Sequence, residues 1–163
     1  MWFATGGKVA RVFHSGDRGS HWTVANTPII SGEPSRGIFS IAFKSEKEGI
    51  VVGGDYKNPA SARDNIATTL DGGITWKLEE LKNSVYFSAV TYLERNQILA
   101  CGPEGAKMKG IGGAKEWKDG GMRCNAVKHV FDRAYFQIFA GPGGAVSILE
   151  SLYTDQLGPE GSQ

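Results

Sequence analysis

Two short segments of this chain repeat the same spaced set of polar, small and aromatic residues. They are "SGDRGSHW" at 15–22 and "TLDGGITW" at 69–76. An aspartate beside glycine could serve as a calcium ligand or as a catalytic acid. Each segment, however, offers a single carboxylate, whereas calcium takes six to eight oxygen ligands. The residue types therefore favour a structural turn, and the sequence predicts no catalytic residue, no metal site and no cofactor.

Each residue type in the repeated set has a defined task in a turn between two strands. The hydroxyl and the carboxylate can hydrogen-bond to nearby backbone N–H groups. Glycine can take a positive φ, and the tryptophan can begin the next strand and pack its indole between neighbouring sheets. The predicted turn residues are Ser15, Asp17, Gly19 and Trp22 in the first segment, and Thr69, Asp71, Gly73 and Trp76 in the second.

The composition predicts an all-β protein. The chain has 23 glycines in 163 residues, about twice the usual share, and glycine is favoured in tight turns. A net charge of +1 argues against bulk electrostatic binding to nucleic acid. The chain contains no run long enough to cross a bilayer, and strand-like residues directly after Met1 predict no signal peptide.

Three segments share an alternating apolar pattern around a small residue: "IFSIAF" at 38–43, "YFSAVTY" at 86–92 and "RCNAVKH" at 123–129. Each begins a unit of short strands, and units of four strands are typical of β-propeller blades. The predicted organisation is the end of one blade at 1–25, two blades at 37–80 and 85–119, closing strands at 122–150, and a flexible tail at 151–163.

The two repeated segments resemble the Asp-box of bacterial neuraminidase repeats, which occurs in β-propellers. A third copy, "GIGGAKEW" at 110–117, keeps Trp117 but lacks the aspartate. Together with "VARVFHSGDRGSHWTVANTPI", "GIVVGGDY" and "AGPGGAVSIL", the segments resemble photosystem II stability/assembly factor-like proteins of bacteria. The resemblance implies a partial propeller of about three to four blades out of six or seven.

The resemblance further implies a periplasmic or secreted, non-catalytic scaffold that binds a protein or glycan partner. It implies a C-terminal fragment whose N-terminal half would complete the ring; closure by two copies is the alternative. A sialidase-like glycoside hydrolase is the alternative function, but it needs three arginines, a tyrosine with a glutamate partner and an acid. An oxidoreductase is disfavoured because "GPGGAV" at 141–146 lies between two predicted strands, where a hairpin is expected.

In propellers of this kind the Asp-box turns lie on one face and the long loops lie on the opposite face. The segments 26–37 and 54–64 are therefore expected to lie together, away from both repeated turns. Long loops on a rigid scaffold commonly carry binding residues, although a merely solvated loop is the alternative. The candidate binding residues are Arg36, Asp55, Tyr56, Lys57 and Arg63.

The two cysteines, Cys101 and Cys124, each lie in an apolar run. The sequence favours buried thiols that act as small hydrophobic side chains. A single disulfide in an oxidising compartment is the alternative that the sequence leaves open.

Overall fold

The structure, a computed structural model, describes residues 1–60, 63–93, 97–110, 116–131 and 135–151. Within these ranges the chain forms fourteen β-strands, β1 to β14 in chain order, and a short 3-10 turn at Pro142–Gly144. The prediction of an all-β fold is confirmed. The described residues include no helix of the length and apolarity needed to span a membrane.

The strands form four antiparallel sheets, in each of which a strand pairs with the next one along the chain. The first sheet contains β1 (Trp2–Thr5), β2 (Arg11–His14) and β3 (Thr23–Asn26). The second contains β4 (Arg36–Phe43), β5 (Gly49–Asp55), β6 (Ile66–Thr69) and β7 (Lys77–Leu78). The third contains β8 (Ala89–Leu93), β9 (Gln97–Gly102), β10 (Gly105–Gly110) and β11 (Lys118–Asp119). The fourth contains β12 (Ala126–Phe131), β13 (Tyr135–Ala140) and β14 (Val146–Ser151), and within the described ranges no sheet closes on itself.

Two predicted features fall partly outside the described residues. The third copy of the repeated turn includes residues 111–115, and the predicted tail continues from residue 152 to residue 163.

Successive sheets pack face to face, as β5 illustrates. All seven residues of this strand are buried. Side chains alternate between the two faces of a strand, and here Val51 packs against the first sheet while Ile50 and Val52 pack against the third. Each fully buried Val or Ile contributes about 1.5–3 kcal/mol relative to an exposed one. The second sheet is thus an interior layer. Strand β5 carries consecutive apolar residues, Ile50 to Val52, because both of its faces are buried.

The third and fourth sheets are joined covalently. Cys101 in β9 and Cys124 before β12 form a disulfide with a Cα–Cα distance of 5.6 Å, and both residues are fully buried. The Cys124 N–H also donates to the Gly102 carbonyl at 3.2 Å, which holds the two segments side by side. The interpretation of these residues as free thiols is therefore wrong, because the packing of the two sheets brings them together.

The two outer faces of this row of sheets are apolar. On the first sheet, Phe3 and Val24 are 42% and 53% exposed on the face opposite the second sheet. On the fourth sheet, Ile138 and Ile148 lie side by side in register and are 39% and 65% exposed. Each face also carries an exposed basic residue, Arg11 on the side of Phe3 and Lys128 opposite Ile138.

Candidate functional site

The first repeated turn, residues 15–22, is held by side-chain bonds to its own backbone. The buried Ser15 hydroxyl donates to Asp17 Oδ1 at 2.8 Å and accepts the Gly19 N–H at 2.7 Å. Asp17 Oδ1 accepts the His21 N–H at 2.9 Å, and the Trp22 indole N–H donates to the Gly19 carbonyl at 3.0 Å. Gly19 has a φ of 94°, which a side chain would resist. These bonds fix the turn within eight residues of chain.

The second repeated turn, residues 69–76, has the same bonds. The buried Thr69 hydroxyl donates to Asp71 Oδ1 at 2.7 Å and accepts the Gly73 N–H at 3.0 Å. Asp71 Oδ1 accepts the Thr75 N–H at 2.9 Å, and the Trp76 indole N–H donates to the Gly73 carbonyl at 3.1 Å. Gly73 has a φ of 94°. The predicted tasks of the hydroxyl, carboxylate and glycine are observed in both turns.

Both turn carboxylates hold their charge strongly. The pKa of Asp17 is lowered to about 2, first by the backbone N–H of His21 and then by the His21 ring and the Ser15 hydroxyl. The pKa of Asp71 is lowered to about 2, first by the Thr75 hydroxyl and then by the Thr75 N–H and the Thr69 hydroxyl. A general acid needs a pKa near the working pH. These carboxylates are therefore suited to accepting hydrogen bonds within their turns and unsuited to donating a proton.

The tryptophans of the two turns lie in different surroundings. Trp76 is half-buried against the apolar cluster between the first and second sheets. Trp22 is 39% exposed and meets Phe3 edge-on, with 4.8 Å between ring centroids. The expectation that both indoles pack between neighbouring sheets is wrong for Trp22, because among the described residues no further sheet covers that face.

The two long loops meet as expected from their predicted positions. The Tyr56 N–H donates to the Ser35 carbonyl at 3.2 Å, and the Ile30 N–H donates to the Asp64 carbonyl at 3.0 Å. Arg36 and Asp55 lie opposite each other in the β4–β5 register and form an ion pair, with 3.0 Å between Arg36 Nε and Asp55 Oδ2. The structure therefore joins the segments 26–37 and 54–64 through main-chain and side-chain contacts.

Asp55 anchors this loop pair. The residue is buried, and its carboxylate accepts the Lys57 N–H at 3.0 Å and the Asn58 Nδ2–H at 3.2 Å besides the Arg36 bond. The Ser35 hydroxyl is the leading cause of a pKa well below the usual range for this carboxyl, with Asn58, Arg36 and Lys57 adding to it. Asp55 therefore positions Arg36, whose side chain remains 36% exposed.

Two exposed aromatic residues lie close to this ion pair along the chain, Phe39 in β4 and Tyr56 directly after Asp55. The β4–β5 register shifts between Ile38 and Ser40, so that Phe39 occupies a β-bulge. Phe39 is 40% exposed and meets Tyr56, which is 48% exposed, with 6.0 Å between ring centroids. It also contacts the buried Tyr86 at 5.0 Å between centroids. Bulges commonly redirect a side chain near a functional site.

We call Arg36, Phe39 and Tyr56 the loop-face cluster. Sequence reasoning found Arg36, Tyr56 and their anchor Asp55 but missed Phe39. The available signal was the adjacent pair Ile38 and Phe39, which breaks the period-2 alternation of β4. Lys57 enters this region through its backbone N–H to Asp55.

Arg63, the fifth candidate, borders a different feature. It lines a cleft of about 720 Å³ between the second and third sheets, with the further lining residues Asp64, Asn65, Leu78, Glu79, Glu80, Leu81, Lys82, Ser84, Glu116 and Trp117. Lys109 pairs with Glu79 and lies 5.7 Å from the centre of the Trp117 ring. The lining carries more acidic than basic side chains, and sequence reasoning singled out only Arg63 and Trp117 among these residues.

Comparison with known proteins gives no family assignment. No protein-family model matches the chain, and no curated protein sequence matches it.

Proposed function

We propose that this chain is part of an Asp-box β-propeller and acts as a non-catalytic scaffold that binds a partner protein through the loop-face cluster. The repeated turns, with their matching bonds, support the Asp-box assignment. Four sheets that follow one another along the chain and pack face to face support the blade interpretation. The apolar outer faces of the first and fourth sheets agree with further blades on either side.

The observation that carries the binding role is the loop-face cluster itself. Phe39 and Tyr56 are large exposed rings, and both lie on strands or turns fixed by main-chain bonds. Aromatic residues and arginine are enriched at the energetic centres of protein interfaces. The ion pair with buried Asp55 holds Arg36 in place and lowers the entropy lost on binding.

The chemistry of the cluster defines the partner. The Arg36 Nε atom is engaged by Asp55, which leaves the terminal guanidinium nitrogens available to a carboxylate. The exposed rings of Phe39 and Tyr56, which contact each other, offer apolar surface. We therefore expect a partner segment that places an acidic side chain next to an apolar or aromatic one. A carboxylate-bearing glycan is the second ligand class that this surface suits.

The cluster suits binding better than sialidase-like hydrolysis. That reaction needs three arginines around one carboxylate and a tyrosine activated by a glutamate. The loop-face cluster contributes one arginine, and the acidic residue nearest to it, Asp55, is already saturated with hydrogen bonds. We therefore propose that the chain does not cleave glycosides.

The Cys101–Cys124 disulfide supports an extracytoplasmic location. Disulfides form and persist in oxidising compartments such as the periplasm or the extracellular space. A fully buried bridge between two sheets serves the folded state. We therefore propose a periplasmic or secreted protein.

Site-specific cross-linking tests the proposed function. A photoreactive phenylalanine analogue placed at position 39 should give a discrete protein adduct in the native host extract, and Arg36→Ala should remove that adduct. The matched control places the analogue at Ile74, an equally apolar position that is 73% exposed on the second repeated turn. Equal adducts at both positions would refute the assignment of the binding face. Cleavage of a fluorogenic sialoside by the purified chain would favour the hydrolase instead.

A further inference from the structure

We propose that the cleft between the second and third sheets binds a neutral saccharide, through polar groups that lack hydrogen-bond partners in the described part of the chain. The chemical class is a sugar, free or within a glycan, that carries several hydroxyl groups and no charge. The cleft shares no lining residue with the loop-face cluster. This site therefore does not depend on the partner-binding role proposed for that cluster.

The first unpartnered group comes from the third repeated segment, residues 110–117. In the first two turns the indole N–H donates to the carbonyl of the glycine three positions earlier. In the third segment Ala114 stands at that position, and Gly112 replaces the aspartate. The indole Nε1 of Trp117 is buried, and no atom of the described residues accepts its N–H. The donor that is satisfied within the first two turns is therefore unpaired at Trp117.

The second unpartnered group belongs to Asn65, directly before β6. This residue is 2% exposed, and its Nδ2–H donates to the Val85 carbonyl at 2.7 Å. That bond defines the orientation of the amide, because a flipped amide would place two carbonyl oxygens against each other. Asn65 Oδ1 is buried and accepts no hydrogen bond from the residues that the structure describes. Asn65 and Trp117 both line the cleft, so one ligand can serve both.

The two unpartnered atoms define the chemistry of the ligand. The Trp117 indole can only donate a hydrogen bond, whereas Asn65 Oδ1 can only accept one. An ammonium or guanidinium group only donates, and a carboxylate only accepts. A hydroxyl group does both. A ligand with several hydroxyl groups therefore suits this pair of atoms better than a cation or an anion does.

The rest of the lining also suits a neutral, hydroxyl-bearing ligand. Leu78 and Leu81 provide apolar surface for the C–H groups of a sugar ring. Five exposed side chains of both signs form no ion pair with any described residue, and they can exchange hydrogen bonds with hydroxyl groups: Arg63, Asp64, Glu80, Lys82 and Glu116. The excess of carboxylates disfavours an anionic sugar. The volume of about 720 Å³ lies within the range of small-ligand sites, about 300–1,000 Å³.

The indole of Trp117 is held in place by an ion pair. Lys109 Nζ lies 5.7 Å from the centre of the Trp117 ring and pairs with Glu79. Glu79 also accepts the Thr68 hydroxyl at 3.2 Å, which ties this carboxylate to the second sheet. A side chain that is already ordered in the unbound protein loses less entropy on binding. Both sheets therefore contribute to the position of the ring.

Isothermal titration calorimetry of the full chain with maltotriose, cellotriose and chitotriose tests the proposal. At least one of these neutral trisaccharides should show saturable binding, and a sialylated trisaccharide should show none. Trp117→Phe keeps an aromatic ring but removes the N–H, and should weaken binding by about tenfold. The matched control, Trp22→Phe, removes the equivalent N–H of the first turn and should leave the affinity unchanged. Titration with glucose and N-acetylglucosamine distinguishes a free sugar from a glycan chain, and binding of either supports the proposal.

A second variant keeps the test decisive if Trp117→Phe fails to fold. Glu80→Trp places a large side chain at an exposed position of the lining and should abolish binding while the chain stays folded. Three results would overturn the proposal. They are the absence of saturable binding to all three trisaccharides, unchanged affinity in both cleft variants, and preferential binding of tetralysine, which would identify a site for cations.

Discussion

The first and second repeated turns share their internal hydrogen bonds and differ in what covers them. In the second turn, Trp2 of the first sheet donates its indole N–H to the Gly72 carbonyl at 2.8 Å, and Phe43 meets Trp76 edge-on. In the first turn, Trp22 contacts Phe3 of its own sheet and remains 39% exposed. The comparison separates a local property, the turn itself, from a tertiary one, the burial of its tryptophan.

The largest expected effect comes from removing Trp76, and the equivalent Trp22 provides the comparison. Trp76→Ala should lower the free energy of unfolding by about 3 kcal/mol, because it opens a cavity in the cluster between two sheets. Trp22→Ala should lower it by at most about 1 kcal/mol, since its ring is not enclosed. Urea denaturation of both variants measures the difference. Equal losses would mean that the first sheet is covered in solution.

The buried hydroxyls should behave alike in the two turns. Thr69→Val and Ser15→Ala each leave a glycine N–H and an aspartate without their partner, at a cost of about 2 kcal/mol. The expected losses are similar because the bonds are internal to each turn. A loss confined to Thr69→Val would show that the first turn is not formed independently. The same urea titration provides the measurement.

Acid should weaken both turns in the same pH window. The carboxyls of Asp17 and Asp71 have their pKa lowered from 3.8 to about 2 in the folded chain. Lowered values stabilise the folded state above the ordinary pKa, and this stabilisation is lost as the pH falls from about 4 to about 2. Asp71→Asn should flatten the stability profile in that window. Thermal unfolding as a function of pH tests this.

The smallest expected effect comes from replacing His21, which lies four positions after Asp17, by the threonine found at the equivalent position of the second turn. His21→Thr should change the free energy of unfolding by no more than about 0.5 kcal/mol, because Thr75 satisfies Asp71 in the same geometry. A loss well above this value would show that the His21 ring has a role that the turn alone does not require. Thermal unfolding at pH 7 is sufficient to decide.

Sequence reasoning predicted the hydrogen bonds that form between residues close together in the chain. The bonds of Ser15 and Asp17 span at most four residues, so residue type and spacing determine them. The meeting of the two long loops was expected from the resemblance to propellers, in which such loops share one face. The bonds within each turn required no knowledge of how one sheet packs on the next.

The features that sequence reasoning missed depend on contacts between distant segments. The bulge at Phe39 is a property of the β4–β5 register, which the sequence of β4 alone does not define. The pairing of Cys101 with Cys124 depends on packing between two sheets. The exposure of Trp22 likewise depends on whether another sheet packs on the outer face of the first sheet.

The disulfide between the third and fourth sheets has a mechanical consequence. The two cysteines are 23 positions apart, so the chain between them, about 75 Å when fully extended, cannot lengthen under tension until the bridge is reduced. A force that pulls the row of sheets apart would therefore separate the third and fourth sheets last, because the disulfide joins only this pair among the described sheets. In a single-molecule pulling experiment, reduction should add one step of that length to the extension.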